Sequence, residues 1–266
     1  MNYMRLKGNL DQANLDNRLH YHPEILEFYL SEQDLKQPEL IRERIRQLRE
    51  LGIKPYLHHP PKFQGKFQDI MSSDAEARAY YRRSSELLAE ICREEKAKCV
   101  VHAHYTHTES SRTVTKERTR QLREEIRQVL SYARDVFVWE DSTEGLFCYA
   151  NPYLFEELIV PLELPLNVDV SHTFIGFRGD NAKLREVLEQ TQAYATYYHL
   201  VDSMGLAHDS LPLGQGKIDW RMVKPLVDGK DFIFEINLGG DHTDCTPMVE
   251  SARYFERLQV DSVASS

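Results

Sequence analysis

The fold is decided by the stretch from Cys99 to Asp141, which holds two short apolar runs with a helical pattern between them. The first run is Cys99-Val-Val-His-Ala-His104, and the second is Val136-Phe-Val-Trp-Glu-Asp141. Each run is nearly continuous in apolar residues, which is typical of strands covered on both faces in a parallel sheet. Between the runs, apolar residues recur at helical spacing, as Leu122, Ile126, Val129, Leu130 and Ala133. This order predicts a βαβ unit.

The same alternation extends along the whole chain. Eight β-rich runs recur, at Met4–Gly8, Ile25–Leu30, Lys54–His58, Cys99–His104, Val136–Asp141, Leu166–His172, Tyr197–Ser203 and Asp231–Asn237. Eight such units in about 260 residues match the size of a barrel, so we predict a single α/β fold, a (β/α)8 TIM barrel, over residues 1–258. An open doubly wound sheet is the alternative, and it usually carries a glycine-rich phosphate loop that this sequence lacks. The small polar tail, 259–266, is predicted to be disordered.

The composition excludes several classes of protein. The chain has 266 residues, of which 41% are hydrophobic and 28% charged, as in ordinary globular proteins. No apolar run approaches the ~20 residues of a membrane helix and no signal peptide is visible, so we expect a cytoplasmic protein without a membrane partner. The four cysteines form no CxxC pair and are expected to be free thiols. The net charge of −9 argues against a nucleic-acid partner, and a homodimer is the default assembly.

Polar residues gather at the ends of the predicted strands. The strand ends carry His58-His59, His102 with His104, Glu140-Asp141, Asp169 with His172, His199 and Glu235, and His208 follows in a loop. A barrel places the carboxyl ends of all its strands on one rim, where active sites are built. Val138 shares a face with Glu140, and Ile233 shares a face with Glu235, so each glutamate ends an inward-facing apolar row.

Carboxylates packed this closely repel one another, and a divalent cation removes that repulsion. Imidazole and carboxylate ligands together suit Zn²⁺, Mn²⁺, Co²⁺ or Fe²⁺, and Mg²⁺ is a further choice. We therefore predict a divalent metal held by Glu140, Asp169, His199 and Glu235. Additional metal-binding or substrate-binding candidates are His58, His102, His104, His172 and His208. A single histidine at a strand end is nevertheless more often a packed residue, and an arginine or lysine partner is the structural alternative for each glutamate.

Six of these segments, in this order, resemble the xylose isomerase-like barrel superfamily, which includes sugar isomerases and epimerases and the endonuclease IV class of apurinic-site nucleases. The most specific is His199-Leu-Val-Asp202-Ser, followed by His208-Asp-Ser-Leu-Pro-Leu-Gly-Gln-Gly-Lys-Ile-Asp219-Trp. Asp169-Val-Ser-His172 is similar to the Asp-Thr-x-His of the family. The other four segments are Leu57-His58-His-Pro60, Val100-Val-His102, Val138-Trp-Glu140-Asp and Phe234-Glu235-Ile.

The resemblance implies a different metal content in each branch of the superfamily. The epimerase branch implies one metal, held by Glu140, Asp169, His199 and Glu235. In that branch the two glutamates are also the catalytic proton-transfer pair, and His172 contacts substrate oxygens. The nuclease branch implies further metals, held by a strand-three histidine, a strand-four histidine, His172 and His208.

Departures from the nuclease pattern favour the epimerase branch. Leu206 stands where the nucleases carry an aspartate two places before the loop histidine, and the stretch 9–18 is not rich in glycine and serine. We therefore predict a metal-dependent isomerase or epimerase of a small sugar, sugar phosphate or cyclitol. A zinc-dependent apurinic-site endonuclease and a non-catalytic sugar-binding barrel are the alternatives. The sequence leaves open the substrate, the number of metals, and whether His58 or His59, and His102 or His104, face the site.

Overall fold

Eight parallel strands form a barrel in the computed structural model, which describes residues 3–240 and 242–259. In chain order the strands are β1 (Arg5–Gly8), β2 (Ile25–Tyr29), β3 (Lys54–His58), β4 (Lys98–His102), β5 (Phe137–Glu140), β6 (Leu166–Asp169), β7 (Ala195–Leu200) and β8 (Asp231–Phe234). Each strand is hydrogen-bonded to the next, and β8 packs beside β1, so the sheet is nearly closed. The predicted TIM barrel is confirmed. The predicted disordered tail, 259–266, lies outside the described residues apart from Gln259.

Helices connect the strands and cover the outside of the barrel. They are α1 (Gln12–Leu19), α2 (Pro38–Glu50), α3 (Ala75–Glu94), α4 (Lys116–Leu130), α5 (Val160–Leu162), α6 (Val170–Gly176), α7 (Asn181–Thr191), α8 (Trp220–Val227) and α9 (Thr246–Arg257). Local caps start several of them, and Asp219 accepts hydrogen bonds from two backbone N–H groups in the first turn of α8. Within the described ranges, no helix is long and apolar enough to cross a membrane.

Several strands end before the corresponding apolar runs of the sequence end, because the last residues of those runs begin a helix or a loop. The apolar pattern of the sixth run continues to His172, but β6 ends at Asp169. The Asp169 side chain accepts a hydrogen bond from the His172 backbone N–H at 2.8 Å and so caps α6. This cap starts a helix directly at the rim and places His172 on its first turn.

The barrel interior holds an apolar layer that is separate from the large core between strands and helices. Its members are Ile25, Tyr56, Val100, Val138, Tyr197 and Ile233. Because side chains alternate along a strand, the next inward position on each strand lies nearer the rim. Those next positions are Glu27, His58, His102, Glu140, His199 and Glu235. The strand register pairs His102 with Glu140, whereas Glu27 pairs with Tyr56 and His58 with Val100, so these polar side chains are staggered around the rim end of the barrel interior.

The loop after β7 is organised by the fully buried carboxylate of Asp202. It accepts hydrogen bonds of 2.8–3.2 Å from the backbone N–H groups of Ser203, Gly214 and Ile218 and from Trp220 Nε1. A Cβ atom at Gly216 would lie 2.2 Å from Asp202 Oδ1, so the second glycine of the Gly-Gln-Gly turn is required by this contact. The role of Asp202 is therefore to hold this loop in its conformation.

Replacing Asp202 by asparagine should lower the free energy of unfolding by about 2–3 kcal/mol, because the amide group faces backbone donors that need an acceptor. Urea unfolding followed by circular dichroism measures the change. The matched control is Asp135→Asn at an exposed position before β5, which should stay within about 0.5 kcal/mol of wild type. Equal stability of the two variants would contradict this role of Asp202.

Candidate metal centre

Four ligand-type side chains converge at the carboxyl ends of the last four strands of the barrel. Glu140, Asp169, His199 and Glu235 place their ligand atoms within 4.8 Å of one another. His199 Nδ1 lies 3.2 Å from Glu140 Oε1 and 2.5 Å from Glu235 Oε2. The structure thus brings together the four residues that the sequence predicts as metal ligands. We call them the four-residue cluster.

A second group of ligand-type side chains shares Glu140 with the first. His58 Nε2 and His102 Nε2 lie 3.4 Å and 3.2 Å from Glu140 Oε2. The His58 ring is oriented by its Nδ1–H, which donates to the His59 carbonyl oxygen at 2.9 Å. Nε2 of His58 is consequently turned towards Glu140. We call His58, His102 and Glu140 the three-residue cluster.

Burial makes the charges in these clusters interact strongly. Glu140, Asp169 and His199 are at most 1% exposed. Burial by itself would raise the pKa of Glu140, but His102 and His199 hold that pKa well below its usual range. Burial would lower the pKa of His199, but the surrounding carboxylates, Glu140 foremost, raise it well above its usual value. Glu140 therefore stays ionised and requires positive charge beside it.

The donor atoms of the clusters fit a divalent cation. Among the described residues, Glu140 Oε2 and Glu235 Oε2 are buried without a hydrogen-bond partner. Buried polar atoms normally have such a partner, so these two oxygens are left available as ligands. Carboxylate and imidazole groups are ligands that zinc and its neighbouring divalent metals accept.

His172 and His208 lie beside the clusters as a contacting pair. Their Nε2 atoms are 2.8 Å apart. The His172 Nδ1–H donates to the backbone carbonyl of Asp141 at 2.8 Å, which fixes the ring with Nε2 towards His208. Both histidines line the cavity above the clusters and are therefore available to a bound molecule.

His104 lies outside both clusters, whereas His102 belongs to the three-residue cluster, which answers the choice between them that the sequence leaves open. Strand β4 ends at His102, and both ring nitrogens of His104 are hydrogen-bonded to backbone groups. Its Nε2 accepts the Phe147 N–H at 3.0 Å, and its Nδ1 donates to the Tyr105 carbonyl at 3.2 Å. His59 is also turned away, with Nε2 2.8 Å from the Ser84 hydroxyl of α3.

Two charged residues at the centre of the barrel were not predicted from the sequence. Glu27 is fully buried and places Oε2 2.9 Å from His199 Nε2. Lys7 forms ion pairs with both Glu27 and Glu235. The sequence carries a signal for Glu27, because it lies two positions after the inward-facing Ile25, just as Glu235 follows its own apolar row. The four-residue strand β1 is too short to give such a signal for Lys7.

A cavity of about 920 Å³ opens above both clusters. Glu140 and Glu235 line it together with His58, His102, His172 and His208. The remaining lining includes large apolar side chains, among them Tyr29, Phe67, Tyr105, Ile175 and Leu206. A concave pocket with a few convergent polar groups among apolar side chains is typical of small-molecule sites.

The fold and the position of this cavity define a class of protein, the TIM barrels with a carboxylate–histidine site at the carboxyl ends of their strands. A family model described as xylose isomerase-like TIM barrel matches residues 23–257. The chain belongs to this family, as the motifs in its sequence predict. No curated protein matches the chain in sequence.

Solved structures of the same fold include sugar epimerases and a zinc-soaked protein. A D-tagatose 3-epimerase-like protein has a TM-score of 0.74 at 16% identity, with 95% of this chain and 96% of that chain covered. A Thermus thermophilus protein, TTHB071, soaked with ZnCl₂, has a TM-score of 0.69 at 20% identity, with 95% and 96% covered. The 3-keto-D-glucoside 4-epimerase YcjR from E. coli has a TM-score of 0.67 at 15% identity, with 96% and 100% covered. At these identities the likeness establishes the fold.

Zinc at 100 times its dissociation constant should stabilise the protein by about 2.7 kcal/mol, because the folded state alone presents the clusters. The expected rise in melting temperature is about 5 °C. Glu140→Gln should abolish the rise, since Glu140 belongs to both clusters. Glu144→Gln, which changes a cavity carboxylate outside the clusters, should keep it. An unchanged rise in the Glu140→Gln protein would place the metal elsewhere.

Proposed function

We propose that this protein is a divalent-metal-dependent isomerase or epimerase of a small sugar-like substrate. The observation that carries the proposal is a pair of carboxylates, Glu140 and Glu235, that approach the same nitrogen of His199 from two strands. Both glutamates line the cavity, so a molecule bound there would meet both. Membership of the family and the epimerases among the similar structures support this reaction class. Because one fold hosts many chemistries, the residues of the site weigh more than the fold.

The proposed reaction moves one proton. A bound divalent metal would polarise the substrate carbonyl and acidify the adjacent C–H bond. Glu140 or Glu235 then acts as the general base and removes this proton. The other glutamate, which has to carry a proton when the substrate is bound, gives that proton to the opposite face in an epimerase or to the neighbouring carbon in an isomerase. Exchange with solvent then removes the proton from the first glutamate and replaces it on the second. His172 has its Nδ1–H committed to the Asp141 carbonyl and its Nε2 against His208, so a substrate oxygen would bind to this histidine pair by replacing the contact between them.

The proposed substrate is a small carbonyl sugar, sugar phosphate or cyclitol. Its hydroxyl groups would meet the histidines and glutamates, and the apolar lining at Phe67 and Tyr105 would cover its C–H face. We propose no nucleic-acid partner, because a net charge of −9 disfavours binding of an extended phosphate backbone.

Proton exchange with solvent tests this function directly. Protein loaded with Zn²⁺, Mn²⁺ or Co²⁺ is incubated with a panel of ketoses and inososes in D₂O, and proton NMR follows the C–H signal next to the carbonyl. Glu235→Gln should slow exchange by about 10²–10⁴-fold, because it removes a proton carrier. Glu250→Gln, at an exposed position of α9, should exchange at the wild-type rate.

Wild-type exchange by the Glu235→Gln protein would exclude this residue from proton transfer. Metal and sugar binding without any exchange would instead favour the non-catalytic sugar-binding barrel.

The three-residue cluster supports a second candidate, a metal-dependent phosphodiesterase acting at abasic sites. His58 and His102 add a second group of ligands that shares Glu140 with the first, as a site for two metals requires. This candidate predicts that zinc-loaded protein cuts a duplex with one abasic site, and that His102→Ala and chelator each abolish the cut. No cleavage by the zinc-loaded wild-type protein would rule it out.

A further inference from the structure

Beneath the four-residue cluster, the barrel interior holds a buried ion pair whose partners come from the first two strands. Glu27 of β2 is 0% exposed, and the side chain of Lys7 of β1 is 9% exposed. Lys7 Nζ lies 3.3 Å from Glu27 Oε1. Removing two charges from water is costly, and well-packed apolar residues often replace such a pair without loss of stability. Stability alone therefore does not explain why this ion pair is present, and its contacts with the site have to be considered.

Glu27 connects this pair to His199. Glu27 Oε2 lies 2.9 Å from His199 Nε2, and both side chains are completely buried. The opposite ring nitrogen, Nδ1, faces Glu140 and Glu235. The two nitrogens of this imidazole thus face different groups. Nε2 faces the Glu27 carboxylate beneath the four-residue cluster, and Nδ1 faces the carboxylates of the cluster itself. A carboxylate that accepts the N–H of a metal-binding histidine fixes its ring and its tautomer.

Lys7 connects the same pair to Glu235. Its ammonium group forms an ion pair with Glu235 Oε1 as well as with Glu27 Oε1. The ring of Tyr29 lies 5.2 Å from Lys7 Nζ and covers the ammonium group on another side. With Oε1 held by Lys7, Glu235 directs Oε2 towards His199. One lysine therefore constrains two carboxylates, each of which contacts a different nitrogen of His199.

We propose that Glu27 and Lys7 are positioning residues for the metal centre. Glu27 accepts the Nε2–H of His199 and thereby makes Nδ1 the metal ligand, and Lys7 holds Glu27 and Glu235 in the orientation that this requires. The proposal rests on the metal site of the proposed function, but it does not depend on the substrate or on turnover. Neither residue has to touch the substrate to act in this way.

The test compares zinc affinity, measured by competition with a chelator, in two variants. Glu27→Gln keeps the size of the side chain but lets its amide donate to His199 Nε2 and reverse the tautomer. The double variant Lys7→Met/Glu27→Leu removes both charges together, so neither is left buried and unpaired. Each variant should bind zinc about 10–100-fold more weakly than wild type. Circular dichroism confirms that each one is folded.

The matched control is the double variant Arg5→Met/Glu24→Gln. It removes a different ion pair, between Arg5 of β1 and Glu24, the residue before β2, whose side chains lie 3.2 Å apart. Its zinc affinity should equal that of wild type. A loss of affinity in this control as large as in the Lys7/Glu27 variant would mean that any ion pair of these strands acts through stability, and would overturn the proposal.

Nitrogen NMR of histidine-labelled, zinc-loaded protein gives a readout that a purely structural role would not change. In wild type, His199 should show zinc on Nδ1 and a proton on Nε2, and this signature should be lost or mixed in the Glu27 variants. Zinc on Nε2 in wild type, or wild-type affinity and signature in the double variant, would overturn the proposal. Zinc binding through Nδ1 without any sugar turnover would instead refute the proposed function alone.

Discussion

Repulsion among buried carboxylates is the constraint on which this site depends. Glu27, Glu140, Asp169 and Glu235 point into one narrow barrel, where low dielectric strengthens every charge–charge interaction. Because the strands are parallel, the inward-facing positions near their carboxyl ends all open into the same small volume. The balance must come from positive charge inside the same volume. Lys7 supplies part of it, and a cation among the histidines would supply the rest.

The strand order and the four-residue cluster were predictable because they follow from local rules. Near-continuous apolar runs identify the strands, and alternation along a strand decides which side chains share a face. Val138 therefore places Glu140 inward, and Ile233 places Glu235 inward, without any knowledge of distant contacts. The capping preference of Asp219 is equally local, and the structure has that cap at the start of α8.

Other features depend on contacts that the local pattern does not contain. His104 differs from His102 because the backbone N–H of residue 147 donates a hydrogen bond to its ring, and spacing along the chain does not reveal which of the two histidines faces the site. The contact of Glu27 with His199 joins residues 172 positions apart, and that of Lys7 with Glu235 joins residues 228 positions apart. Such contacts arise only when the barrel closes and brings its first strands to its last.

Glu140 belongs to both clusters, and this makes it the one position at which a single substitution weakens both. A substitution at Glu140 takes a ligand from both groups at once, whereas changes at His58 and His102 leave the four-residue cluster whole. Changes at Asp169, His199 or Glu235 likewise leave the three-residue cluster whole. Each cluster can therefore change through its own residues without removing a ligand from the other, and Glu140 is the one position that couples them.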